Sequence, residues 1–90
     1  MGNNRTRFAE MDQQVAAAVR AELARTNTTR KALSERTGLH INVINRKCRG
    51  DVPFTPEELS AVAAALDVTS SYLTAEAEKH FHLAADDQAA

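Results

Sequence analysis

Ninety residues, 43% of them hydrophobic, with three Phe, one Tyr and no Trp, point to one small domain whose core is built from Ala, Leu, Val and Ile. A single cysteine excludes an internal disulfide framework, no apolar run reaches membrane-spanning length, and no signal-peptide pattern opens the chain, so a reducing cytoplasm is the expected setting. The net charge of −1 hides an uneven distribution: from Arg20 to Gly50 eight basic residues stand against two acidic ones, and from Asp51 to Ala90 one basic residue stands against eight acidic ones.

Five helices are predicted, an all-α chain. The first runs from Phe8 to Arg25, with Met11, Val15, Val19 and Leu23 at four-residue spacing. Residues 1–7 before it are expected to be a disordered arm. Asn27, Thr28 and Thr29 break the first helix and cap a second, Arg30 to Thr37. Leu33 and Thr37 lie one turn apart there, and Ser34 is small enough for a neighbouring helix to cross closely. Gly38 can adopt the left-handed conformation that ends a helix, and Leu39 plugs the corner.

A third helix follows over residues 40–49 and ends at Gly50. Ile44 and Cys48 make its narrow apolar stripe, so the opposite face carries Ile41, Asn42, Asn45, Arg46 and Arg49. Val52 and Phe54 turn inward in the connection beyond. Thr55-Pro56-Glu57-Glu58 is a helix start, with Thr at the cap, Pro in the first turn and Glu three residues after the cap. Leu59, Val62, Ala63 and Leu66 form the buried face of that fourth helix. After Asp67-Val68-Thr69-Ser70, the residues Tyr72, Leu73, Ala77 and Phe81 mark a last helix that frays near Leu83, leaving 84–90 as a disordered tail.

The unit at 30–49, two short helices about a glycine turn, is the layout of a helix-turn-helix. Arg can donate two hydrogen bonds to guanine, and the Asn amide can pair with adenine, so Asn42, Asn45 and Arg46 on one exposed helix face suit the major groove. The surplus of basic residues coincides with this unit, as neutralisation of DNA phosphates requires. The acidic half should face away from DNA.

At these residues the chain resembles the lambda-repressor and Cro family of helix-turn-helix domains. The likeness rests on Lys31-Ala-Leu-Ser-Glu-Arg-Thr-Gly-Leu39, on Ile44-Asn-Arg-Lys-Cys-Arg-Gly50 and on the run from Pro56 to Val68, and it spans about Val15 to Leu73. The resemblance implies a compact five-helix domain at 8–83 in which Thr29 and Arg30 brace a phosphate. It gives His40, Ile41, Asn42, Asn45 and Arg46 the base-reading positions, and places Lys47 and Arg49 near phosphates at the helix end. Where the family often has Gln, at the start of its second and third helices, Arg30 and His40 stand. Where it often has Leu near the end of the third, Cys48 stands, a smaller plug for the corner.

The implied function is a sequence-specific transcription regulator, a phage Cro-like protein or compact repressor occupying a double-stranded DNA operator in a bacterial or phage-infected cell. A DNA-binding antitoxin or protein-interaction module, or an excisionase-like architectural protein, is the alternative. One helix reads too few base pairs for a genomic site, so a homodimer on DNA is expected. Its surface candidates are Leu73, Ala77 and Phe81 on the last helix, and Phe8 and Met11 on the first, unless these only cover the edge of the core.

Other chemistry finds little footing. Cys48 on the inward stripe reads as packing rather than a redox switch. His80 and His82 point to opposite sides of a helix, and Glu76 with His80 makes only two ligands, so no metal is expected. His40 either tunes DNA affinity by titrating or caps its helix. No nucleophile, base and orienting group assemble into an enzyme, and neither a cofactor nor a small-molecule ligand is implied.

Overall fold

The computed structural model describes the backbone of residues 2–89 and the side chains of residues 10–80. Five helices follow in chain order, α1 (Gly2–Arg25), α2 (Arg30–Thr37), α3 (Ile41–Arg49), α4 (Pro56–Ala65) and α5 (Ser70–Ala89), with no strand among the described residues. The fold is the expected all-α, five-helix one. It differs at the two ends, where α1 begins at Gly2 and α5 reaches Ala89, through stretches expected as arm and tail. Neither stretch contains proline, and each extends a helix whose packed part is already nucleated, so propagation costs little.

Each of the first four helices stops at a residue in the left-handed region. Asn27 (φ 53°), Gly38 (φ 78°), Gly50 (φ 85°) and Asp67 (φ 61°) take these places. After α1 the Thr28 N–H donates to the Leu23 carbonyl at 2.9 Å, and after α4 the Val68 N–H donates to Ala63 at 2.9 Å. Both bonds satisfy carbonyls that the helix end leaves without a partner. At the start of α4, Thr55 Oγ1 accepts from the Glu58 N–H at 3.1 Å and Glu58 Oε1 accepts from the Thr55 N–H at 2.9 Å, the reciprocal cap expected from the sequence.

The helices enclose one core. Val19 of α1, Leu33 of α2, Ile44 and Cys48 of α3, Val62 of α4 and Leu73 of α5 are fully buried, with Leu39, Phe54, Leu59 and Val68 packed around them. α1 lies along α5 and touches α3, while α2 packs on α3 and α4. α3 is thus held from its inner side by α1 and α2.

Two expectations for a surface between copies need correction. Leu73 and Ala77 are fully buried within the chain. They face α1 and the core because α5 lies against α1 along its length, and they have no surface left for a partner. Met11 is half-buried beside an apolar cleft with Val15, Phe54 and Leu59. The side chains of Phe8 and Phe81 lie outside the described residues.

A buried charge also sits in this core edge. Glu22 is 4% exposed. Arg25, one turn on, donates to its carboxylate through Nη2 at 2.7 Å and Nε at 3.0 Å. The Arg25 guanidinium holds the Glu22 carboxyl below the usual carboxylate range.

The helix ends yield a test. Asn27→Gly and Asp67→Gly should each stabilise the fold by about 0.5–1 kcal/mol, because glycine relieves left-handed strain at the cost of some unfolded-chain entropy. Urea denaturation measures this, and a loss of stability in both variants would show that the Asn and Asp side chains hold these turns in another way.

Candidate nucleic-acid interface

α2 starts at Thr29, whose Oγ1 accepts from the Ala32 N–H at 3.0 Å, and ends at Gly38, whose N–H donates to the Ser34 carbonyl at 2.9 Å. Hydroxyls then lock the turn. Ser34 Oγ donates to the Leu39 carbonyl. Thr37 Oγ1 donates to the Leu33 carbonyl at 2.8 Å and accepts from the Leu39 N–H at 3.2 Å. Ser34 therefore does more than its small size suggests, since it ties α2 to the residue that plugs the corner.

His40 is the N-cap of α3, with Nδ1 accepting from the Asn42 N–H at 3.1 Å. Capping is thus the role its geometry displays. The helix stops on a paired motif in which Asp51 N–H donates to the Arg46 carbonyl at 3.0 Å and Gly50 N–H to Lys47 at 3.1 Å. With Ile44 and Cys48 fully buried, Asn42, Arg46 and Arg49 are exposed, and Ile41 and Asn45 are half-buried. Burial pushes the Cys48 thiol up, away from the reactive thiolate, so the residue is packing material.

The polar residues on α3 divide by what they touch. Asn42 and Arg46, one turn apart, have no side-chain hydrogen-bond partner among the described residues. Asn45 Oδ1 accepts a long 3.5 Å bond from Arg30 Nη1, which links the start of α2 to the middle of α3. Arg49 Nε meets Asp51 Oδ2 at 3.0 Å with both side chains 56% exposed, a pair that water screens heavily. Lys47 departs from its expected place at a phosphate: its ammonium is bound to the Glu58 carboxylate and its side chain is only 12% exposed. The reason is position, because the reciprocal cap of α4 presents that carboxylate next to the last turn of α3.

Sequence reasoning missed two residues of α1. Arg20 Nη1 donates to the Cys48 carbonyl at 2.7 Å, and Gln13 Nε2 donates to the Gly50 carbonyl at 2.7 Å. Their spacing of seven puts both on one face of α1, a signal visible in the sequence, but nothing there names the carbonyls they reach.

A family model described as helix-turn-helix matches residues 19–73, more than half of the chain. The chain belongs to the helix-turn-helix family of lambda-repressor and Cro type. No curated protein and no solved structure matches it. The family's domain binds DNA and is not enzymatic, and membership makes this helix-turn-helix protein a DNA-binding transcription regulator. Among the described residues no helix is long and apolar enough to cross a membrane, and no three of His, Cys, Asp and Glu come together as a metal-binding group.

Lys47 and the Thr55 N–H hold the Glu58 carboxyl below the usual carboxylate range. A carboxyl lowered by folding adds stability that is complete above its unfolded value of about 4.3 and is lost as pH falls through the folded value. The same holds for Glu22. Thermal unfolding should therefore shift to lower temperature as pH drops below about 5, and Glu22→Gln with Glu58→Gln should lower stability at neutral pH and flatten that acid limb. An acid limb as steep as the parent's in the double variant would contradict this.

Proposed function

We propose that this helix-turn-helix protein is a compact, Cro-like repressor that binds a double-stranded operator through the outer face of α3 and so excludes polymerase. The observation that carries this reading is the pair Asn42 and Arg46. Both are exposed, one turn apart, without side-chain partners among the described residues, and opposite the buried Ile44 and Cys48. An amide and a guanidinium so placed can each make the two-bond contact that tells adenine or guanine from the other bases. Ile41 and Asn45 flank them at the groove floor, and His40 opens the helix beside them.

Phosphate contacts fall to Thr29, Arg30 and Arg49 around this face. Lys47 is left out, because its charge is already spent on Glu58. Two copies on half-sites about one DNA turn apart supply the length of sequence that one short helix cannot read. The acidic residues of α4, α5 and the turn between them, among them Glu57, Asp67, Glu76 and Glu78, then face away from the phosphates. The setting is the cytoplasm of a bacterial or phage-infected cell.

Selection of bound duplexes from a random pool, followed by titration of variants on the selected site, tests the reading. Asn42→Ala or Arg46→Ala should cost about 1–3 kcal/mol and relax preference at one or two base positions. Arg49→Ala should lower the salt slope by about one unit, and Lys47→Ala should leave it unchanged. An unaltered motif in both the Asn42 and Arg46 variants would overturn the assignment, and a parent that selects no motif would overturn the function.

A further inference from the structure

α3 has nine residues, too few to be stable as an isolated helix or to fix its own direction. Its apolar stripe is one residue wide and two long, Ile44 and Cys48. Packing through so narrow a stripe fixes which side of the helix faces inward, but apolar contacts are not directional, so it sets the exact roll less sharply than a hydrogen bond does. A roll of a few degrees displaces these two inner side chains less than it displaces the long outer ones. It would carry the tips of Asn42 and Arg46 out of register with base edges, where hydrogen bonds weaken steeply with angle.

The end of α3 is held by directional bonds instead. Arg20 and Gln13, two turns apart on α1, donate to the Cys48 and Gly50 carbonyls, each at 2.7 Å. Two attachments separated along α1 resist rolling as well as sliding. The Arg20 bond is charge-assisted, and a cation at a helix C-terminus also meets the negative end of the helix dipole. The fit is close: a Cβ added at Gly50 would lie 2.5–2.8 Å from the Gln13 amide, so the residue that ends α3 must be small for Gln13 to reach it. In the same last turn, Lys47 is anchored to Glu58 of α4.

We infer that Gln13 and Arg20 are positioning residues for base recognition: from α1 they set the roll of α3, and so the aim of Asn42 and Arg46, without touching DNA themselves. The inference rests on the DNA-reading function proposed above. It assigns to α1 a share in specificity that its sequence does not display. It also separates Arg20 from the other basic residues near the start of α2, since its guanidinium is used on a carbonyl of the protein rather than on a phosphate.

The test compares Gln13→Met, Arg20→Met and Arg20→Lys with the parent, on a selected duplex and on a random duplex of equal length, across a salt series, with thermal unfolding alongside. Gln13→Met and Arg20→Met should each lower the preference for selected over random DNA by about three- to tenfold, the worth of one such hydrogen bond. The salt slope should stay at the parent's value, and Arg20→Lys, which keeps a donor, should recover part of the preference. Affinity referred to the folded fraction removes any effect of stability, which acts equally on both duplexes. Gln13→Met carries the decision if Arg20→Met unfolds, because Gln13 is exposed and neutral. Equal losses on both duplexes, unchanged preference, or a salt slope lower by about one unit in Arg20→Met, the mark of a phosphate contact, would overturn the inference. A parent without preference for any duplex would instead overturn the function on which it rests.

Discussion

The burial of Ile44 and Cys48 is the constraint on which the rest of the structure depends. These two side chains give α3 its inner side, and both are fully enclosed among Val19, Leu23 and Leu33 of the neighbouring helices and the rest of the core. Once they point inward, the 3.6-residue period leaves no choice about Asn42, Arg46 and Arg49, which point outward. The same contact explains why a chain of this size needs five helices to present one short one. α3 contributes little stability of its own, and the orientation of its outer face is a property of α1 and α2 as much as of its own residues.

Electrostatics sharpens this arrangement. The basic surplus between Arg20 and Gly50 is only partly available to a ligand, because the fold uses some of it. Lys47 is neutralised by Glu58, Arg25 by the buried Glu22, and Arg20 is turned onto a backbone carbonyl. What remains around the outer face of α3 is Arg46, Arg49 and Arg30, with Arg30 also touching Asn45. A count of charges along the chain therefore overstates the positive charge left free for a ligand on this side of the molecule.

Much of this was legible in the sequence, for physical reasons that are local. The bounds of α2, the left-handed stops at Gly38 and Gly50, and the Thr55–Glu58 cap follow from residues within one helical turn of each other. The Ile44 and Cys48 stripe follows from helical periodicity. What was not legible depends on distant pairs. The acceptors of Gln13 and Arg20 lie 37 and 28 residues along the chain, and no local pattern marks a backbone carbonyl as a partner. Lys47 resembled a phosphate ligand because its partner Glu58 was fully accounted for by its own helix cap. Leu73 and Ala77 resembled a surface stripe because nothing in α5 reveals that α1 lies along it.

We propose that DNA meets the outer face of α3 and the start of α2. The most direct measurement is an amide chemical-shift map of the chain in solution, titrated with a selected operator duplex. Saturable shifts are expected at Thr29, Arg30, His40 to Arg46 and Arg49, with the acidic exposed residues Glu57, Asp67 and Glu78 unmoved. Shifts concentrated on α4 and α5 instead, or none that saturate, would contradict the proposal.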